Sequence, residues 1–234
     1  MKKIIIAIDS FKGSLSSVEA GLAAKEGILN VFPHCETLVV PVSDGGEGIL
    51  DVFLSAAGGN YISLQAHNPL MELTDTRYGV LADGQTAVIE MAEISGLNLV
   101  PMDKRNPMIT TTYGTGELIR DALNRGYRKF IIGIGGSATN DAGLGMLQAL
   151  GSRFFDKNNQ ELDVGGKIMG EVASIDSSSV HPALTDSTFT IACDVNNPFY
   201  GTQGAAYVFA RQKGANDEMI KTLDAGMQSL ANVI

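Results

Sequence analysis

The hydrophobic positions of this chain alternate between short β-branched runs and longer stretches with helical spacing. Residues 4–8 form a short continuous apolar run, which predicts a strand at 3–8 that is buried on both faces of a sheet. Ser16 and Glu19 then predict a capping box at the start of a helix. A second apolar run at 37–40 precedes another predicted helix at about 47–57. This strand–helix–strand–helix order predicts an α/β fold with parallel strands and right-handed crossovers.

The pattern changes from about Tyr61 onward. Residues 61–66 and 76–81 have the mixed alternation of strands, and Asp83-Gly84 is a hairpin turn signal before a returning strand at 86–91. Antiparallel pairing here predicts a substructure different from the N-terminal part. We therefore place a domain boundary after residue 66.

The rest of the chain predicts further helices and strands. A helix is expected at 113–124, a strand from Phe130 and a helix from Asn140. The polar, weakly periodic segment 152–182 predicts a peripheral excursion. We expect short strands at 189–193 and 205–209, a buried Cys193, and a final helix capped by Asn216.

The segment 129–150 carries the clearest chemical signal. A β-branched run is followed by a turn of small residues and then by helical spacing, and the turn includes Gly135, Gly136 and Ser137. Strand, glycine turn and helix N-terminus together present backbone N–H groups to a phosphate. Asn140 and Asp141 would lie beside this anion site, where the carboxylate could hold a metal ion or accept a proton. The segment matches neither the P-loop nor a clean dinucleotide fingerprint, so a simple tight connection is the alternative.

Polar clusters that contain glycine recur along the chain. Residues 9–14, 43–48, 135–141 and 192–198 each follow a predicted strand, and 111–117 opens a helix. In open α/β sheets, ligands bind at the carboxyl ends of the strands. We therefore expect the four strand-end clusters to meet in one crevice.

Individual residues in and near these clusters have two interpretations each. Lys12 could neutralise phosphate oxygens or be a solvated surface lysine. Asp44 and Asp194 could hold Mg²⁺ or accept a hydroxyl proton, or could be turn aspartates. Arg77 could clamp a substrate carboxylate or point outward from its strand. Glu90, which ends a largely apolar strand, lies at a site or points to solvent.

Composition and charge exclude several classes of function. The 234 residues carry a net charge of −9, which argues against nucleic acid or an anionic membrane as the main partner. Two distant cysteines and three scattered histidines support neither a zinc site nor a Ser-His-Asp triad. The N-terminal apolar run is too short for a signal peptide, so a cytoplasmic location is expected. A lysine, several carboxylates and glycine loops fit phosphoryl transfer, which needs charge neutralisation and positioning.

Seven segments, in order, resemble the motifs of the bacterial class I glycerate kinases, the family of glycerate 2-kinases. They are DSFKGS (9–14), PVSDGGEG (41–48), AVIEMAEISGL (87–97), TTYGTGELI (111–119), GGSATNDAGLGML (135–147), ACDVNNP (192–198) and VFARQKGA (208–215). The resemblance implies a transferase that phosphorylates D-glycerate with ATP and Mg²⁺, usually to 2-phosphoglycerate, with 3-phosphoglycerate left open. It also implies two α/β domains with the active site in the cleft between them.

In this scheme, residues 1–66 belong to a Rossmann-like or flavodoxin-like parallel sheet, and 67–234 form an inserted α/β domain with a mixed sheet. The matching motifs imply functional roles for Ser10, Lys12, Asp44, Glu47, Asn140, Asp141, Asp194 and Asn196. Our hypothesis is that Asp44 and Asp194 flank the transferred phosphoryl group, one as base and one near the metal ion. Lys12 would stabilise phosphate charge, the 135–137 turn would bind phosphate through backbone amides, and Asp141 would bind the metal.

Family members continue beyond the point where this chain stops. Because the chain ends at Ile234 inside a helical pattern, we expect a C-terminal truncation that leaves the N-terminal sheet incomplete. Two alternatives to an active glycerate kinase therefore stay open. One is an inactive or ligand-binding fragment, and the other is a different enzyme acting on phosphorylated or hydroxy-acid ligands, such as a mutase or phosphatase. A homodimer is also left open.

Overall fold

The computed structural model describes residues 3–11 and 14–234. Its strands are β1 (Lys3–Ile6), β2 (Glu36–Val39), β3 (Gly59–His67), β4 (Leu73–Leu81), β5 (Thr86–Glu90), β6 (Lys129–Gly133), β7 (Arg153–Phe155), β8 (Ser174–Asp176) and β9 (Thr188–Ala192). Its α-helices are α1 (Ser17–Val31), α2 (Ile49–Ala57), α3 (Ala92–Ser95), α4 (Tyr113–Asn124), α5 (Leu144–Ala149), α6 (Ala205–Phe209) and α7 (Asp217–Leu230).

The N-terminal part is a β1–α1–β2 unit with parallel strands. β1 and β2 pair in parallel as a two-stranded sheet, with Ile4 opposite Thr37. The Ser16 hydroxyl accepts a hydrogen bond from the Glu19 amide, and the Glu19 carboxylate accepts one from the Ser16 amide at 2.8 Å. The predicted capping box and parallel pairing are thus confirmed.

A five-stranded mixed sheet forms the centre of the fold, in the order β3-β4-β5-β6-β9. β3, β4 and β5 pair antiparallel, whereas β5, β6 and β9 run parallel. The mixed α/β fold is thereby confirmed. The register places Glu90 beside Gly133 and Gly133 beside Ala192, so the three parallel strands end side by side. The polar segments that follow these strands therefore start at one edge of the sheet.

β3 joins the five-stranded sheet along its whole length, from Gly59 opposite Leu81 to His67 opposite Leu73. By its hydrogen bonds, this strand belongs with the elements that follow it. The domain division at residue 66 stays a prediction, and most of β3 lies on the N-terminal side of it.

Helices cover both faces of the five-stranded sheet. α2 places Leu50 and Leu54 against Val88 on one face. α4 places Leu118 and Ile119 in a larger core on the other face, and that core includes Phe130. Both helices are amphipathic, and the buried stripe of each is what holds the helix to the sheet.

A second core corrects the expectation that 152–182 is a peripheral excursion. Phe154, Met169 and Val172 from this segment are buried against Leu223 and Met227 of α7. The segment looks polar in sequence because only a few widely spaced residues of it face the core. These few residues are nevertheless almost completely buried.

Two further expectations were wrong. Residues 205–209 form helix α6 rather than a strand, with Ala206 and Ala210 buried four residues apart. A short apolar run does not distinguish the two structures by periodicity. Cys193 is exposed, because β9 lies at the edge of the sheet and ends at Ala192. Within the described residues, none of the helices has the length and hydrophobicity needed to cross a bilayer.

Candidate active site

Three of the four strand-end clusters line a single cleft of about 500 Å³. The loop at 43–48 contributes Asp44, and the segment after β9 contributes Asp194. The turn after β6 contributes Gly135, Gly136 and Ser137. The predicted meeting of these clusters follows from the parallel register of β6 and β9, which ends the two strands side by side.

Close backbone contacts hold the loops of the cleft together. The Gly135 amide donates to the Gly45 carbonyl at 3.2 Å. Gly45 has a φ of +92°, and a Cβ there would lie 2.8 Å from the Ala192 carbonyl oxygen. A Cβ at Gly135 would lie 2.5 Å from Cα of Gly46. Glycine is therefore required where the loop crosses the ends of β6 and β9.

The two candidate catalytic carboxylates differ in their local contacts. One oxygen of Asp44 accepts a hydrogen bond from the Gly46 amide at 2.9 Å, so Asp44 also shapes its own turn. Asp194 is exposed, and no hydrogen-bond or ion-pair partner for it occurs in the described part of the chain. Both carboxylates line the cleft, as their assignment requires, and their division of roles stays a prediction.

The turn at 135–137 does not open a helix. α5 begins at Leu144, after Gly143 in the left-handed conformation, so the prediction that a helix N-terminus adjoins this turn was wrong. The anion site itself stays a prediction. Backbone amides remain available in the turn itself. The amides of Gly136 and Ser137 have no acceptor among residues 3–11 and 14–234. These two N–H groups could receive a phosphate oxygen.

Asp141 lies behind the turn and is 1% exposed. Its carboxylate accepts hydrogen bonds from the Thr112 amide at 2.8 Å, the Thr112 hydroxyl at 2.9 Å and the Gly145 amide at 3.3 Å. These contacts tie the start of α4 to the start of α5 and favour a structural role. The prediction that Asp141 holds a metal ion stays untested. Asn140 is also buried, and its amide faces the Met227 sulfur at 3.4 Å.

The cleft offers few protein ligands for a metal ion, which suits Mg²⁺ with water and phosphate ligands better than a site built entirely from protein side chains. The described residues contain no group of three or more His, Cys, Asp or Glu side chains able to hold a metal ion. Mg²⁺ in phosphoryl-transfer sites commonly uses one or two carboxylates, waters and substrate phosphates. Asp44 and Asp194 supply two carboxylates, so the cleft fits an ion that arrives with a nucleotide.

A groove adjoins the cleft and holds other predicted site residues. Glu47 and Glu90 line two neighbouring pockets of about 330 and 460 Å³. Ser10 lines the first of these pockets, and its buried hydroxyl lacks a hydrogen-bond partner within the described ranges. Gly136 and Ser137 line the second. The groove therefore runs from Ser10 to the same turn that forms the cleft.

Arg77 is already engaged by other side chains. Its guanidinium bonds Glu93 at 3.0 Å and Asp51 at 3.2 Å and lies 4.4 Å above the centre of the Tyr61 ring. A substrate carboxylate would have to compete with both acidic partners. The contacts therefore favour a structural ion pair, and the substrate-clamp role stays a prediction.

Two further predicted residues are not placed at the cleft. Asn196 is exposed and does not line it, although Val195 and Asn197 on either side do. Lys12 lies outside the described residues, so its predicted role with phosphates has no structural test here.

Lys213 is a site residue that sequence reasoning missed. It is 7% exposed, lines the cleft and donates to the Ser137 hydroxyl at 2.7 Å and to the Thr139 carbonyl at 2.5 Å. Burial lowers the pKa of Lys213 to about 8, and the negative charge of Asp141 opposes this shift. Lys213 lies in one of the family-like segments (208–215), but no local sequence pattern predicted that it contacts the turn at 135–137.

Glu90 ends β5 and is 3% exposed, so the interpretation that it points to solvent was wrong, and its place at a functional site stays a prediction. Its carboxylate accepts hydrogen bonds from the Gly48 amide at 2.9 Å and the Leu50 amide at 3.1 Å. Burial raises the pKa of Glu90 to about 7, although these two bonds favour the charged form. Glu90 therefore anchors the start of α2 from within the groove.

We expect the Glu90→Gln variant to lose a pH dependence that the wild-type protein shows. The pKa of Glu90 rises from 4.5 to about 7 on folding, so between these values the folded state binds the proton more strongly. The free energy of unfolding should fall as pH rises through this window, by up to about 3 kcal/mol from this group. Denaturant unfolding of wild type and Glu90→Gln at pH 5 and pH 8 measures this change in the free energy of unfolding. The matched control is Glu171→Gln at an exposed position, and equal slopes for Glu90→Gln and wild type would contradict the assignment.

Comparison with known proteins gives a consistent result. A model described as the Glycerate kinase family matches residues 4–234. A glycerate kinase of Bacillus subtilis is 49% identical over 99% of this chain and 60% of its own length. The glycerate 2-kinase of Escherichia coli is 46% identical over 99% of this chain and 61% of its own. The chain thus spans about 60% of the length of these curated relatives.

The fold also matches a solved structure. The crystal structure of a proposed glycerate kinase 2 from Salmonella typhimurium LT2 is 44% identical and superimposes with a TM-score of 0.86. The match covers 99% of this chain and 62% of that one. The arrangement described above is therefore shared with a structure of related sequence.

Proposed function

The chain belongs to the glycerate kinase family, and we propose that it takes part in the phosphorylation of D-glycerate by ATP and Mg²⁺. One observation supports this most strongly: Asp44, the turn at 135–137 and Asp194, from three separate loops, line one cleft. Phosphoryl transfer needs positioning and electrostatic stabilisation more than a covalent nucleophile. Carboxylates beside a turn with available amides meet that need.

We assign the transferred phosphoryl group to the space between Asp44 and Asp194. A hydroxyl of D-glycerate attacks the γ-phosphorus of ATP, its proton passes to one of the two carboxylates, and ADP leaves. The other carboxylate lies near Mg²⁺, which when bound supplies positive charge to the phosphate oxygens. The amides of Gly136 and Ser137, which line the same cleft, donate hydrogen bonds to the phosphate oxygens.

The groove next to the cleft is the proposed place for D-glycerate. Ser10 and Glu47 offer a hydroxyl and a carboxylate that can hydrogen-bond the substrate hydroxyls. The groove reaches Gly136 and Ser137, so a substrate bound there lies beside the phosphates in the cleft. We propose 2-phosphoglycerate as the product, with 3-phosphoglycerate as the alternative. A cytoplasmic location is part of the same proposal.

A ³¹P NMR assay of the purified chain with D-glycerate, ATP and MgCl₂ tests this function. Expected are ADP and one new phosphomonoester signal that matches authentic 2-phosphoglycerate, both absent when glycerate is left out. Hydrolysis or rearrangement of added phosphoglycerate without ATP would instead support the phosphatase or mutase alternative. Binding of ATP without turnover would support the ligand-binding fragment.

A further inference from the structure

A buried ammonium group lies against the turn that faces the cleft. Lys213 ends a short 3₁₀ helix, Arg211–Lys213, and only 7% of it is exposed. Its Nζ contacts the Ser137 hydroxyl and the Thr139 carbonyl. A buried charge of this kind is costly unless hydrogen bonds satisfy it, and these two acceptors offset part of that cost.

The chemistry of the lysine fixes the direction of its bond to Ser137. An ammonium group has donors and no acceptor, so the Ser137 oxygen must accept. The hydrogen of the Ser137 hydroxyl is then left to donate elsewhere. No protein acceptor for it occurs within the described ranges, and Ser137 lines both the cleft and the adjoining groove.

We propose that Lys213 is a positioning residue for the phosphates of ATP: by holding the Ser137 oxygen as an acceptor, it directs the Ser137 hydroxyl hydrogen to a phosphate oxygen in the cleft. This inference rests on the proposed function, since it takes ATP as the ligand. Lys213 also adds positive charge to the lining of the cleft.

The test is the affinity for ATP measured by calorimetry in the presence of MgCl₂. Ser137→Ala is expected to weaken ATP binding by about tenfold to a hundredfold, the range for a lost hydrogen bond to a charged group. Ser137→Thr keeps the hydroxyl and should stay within about threefold of wild type. Lys221→Met, at an exposed position of α7, is the matched lysine control and should bind ATP like wild type.

A double-mutant cycle distinguishes a Lys213 that acts through Ser137 from a Lys213 and a Ser137 that each contact ATP independently. If Lys213 acts through Ser137, Lys213→Met should weaken ATP binding, and adding Ser137→Ala to it should cause little further loss. Losses that multiply would overturn the proposal. The proposal would also be overturned if Ser137→Ala bound ATP as tightly as wild type. If Lys213→Met does not fold, the affinity of Ser137→Ala for ATP is the deciding measurement.

The same titrations separate this inference from the proposed function. A wild-type chain that binds ATP without phosphorylating D-glycerate would contradict the activity proposed for the chain, while the Ser137 variants would still decide the role of Lys213. A wild-type chain that does not bind ATP would overturn both proposals.

Discussion

Asp44→Asn and Asp194→Asn are each expected to lower kcat with D-glycerate and ATP by about a hundredfold or more, with the fold intact. A positioned general base contributes about 10²- to 10⁴-fold, and a carboxylate beside the metal ion contributes through its charge. Asparagine keeps the size of the side chain but removes that charge. At position 44 it also keeps an oxygen to accept the Gly46 amide, so the turn should survive.

Steady-state kinetics with thermal unfolding of the same samples measures this effect. Asp186→Asn, at an exposed position away from the cleft, is the matched control and should be as active as wild type. A folded Asp44→Asn protein with wild-type kcat would disprove the catalytic role of Asp44. The size of the loss at saturating Mg²⁺ does not show which carboxylate is the general base. The pH dependence of kcat in each single variant shows it, because removing the base removes the acidic limb of the pH–rate profile.

The Asp141→Ala variant is expected to lose about 3–5 kcal/mol of unfolding free energy, a magnitude typical of removing one partner from a buried charged network. The Asp141 carboxylate accepts hydrogen bonds from the backbone amides of Thr112, Gly143 and Gly145, which lie in the segments where α4 and α5 begin. Alanine leaves these buried donors without their acceptor. The loss should therefore appear in stability even without any ligand.

Denaturant unfolding in EDTA measures this loss, because it removes any contribution from Mg²⁺. Asp163→Ala, at an exposed position, should change the free energy of unfolding by less than about 0.5 kcal/mol. The metal-ligand alternative predicts a different result. In that case wild type and Asp141→Ala would be equally stable in EDTA, and MgCl₂ would stabilise wild type alone.

Local patterns in the sequence predicted much of the candidate site. Four clusters were expected to meet because each follows a predicted strand of an α/β sheet, and the three around Asp44, Gly135 and Asp194 line one cleft. The Ser16–Glu19 capping box and helix α4 were likewise predicted from short-range spacing. These features depend on residues that are neighbours in the chain.

The wrong expectations share a physical cause. Residues 205–209 and Cys193 were assigned from short apolar runs, whose burial depends on which elements pack beside them. The predicted helix at Asn140 begins instead at Leu144, because the preceding residues bind α4 through Asp141. In each case the outcome depended on which elements pack beside the segment, and local preference does not fix that packing.

Hydrophobic periodicity, capping and glycine turns act over a few residues, so they set the order of the elements and the loops that carry chemistry. Which distant groups meet depends on tertiary packing. Lys213 contacts Ser137 across 76 positions, and Glu90 binds the Gly48 amide across 42. Such pairs follow from how the helices and loops pack on the sheet, and no local pattern records that packing.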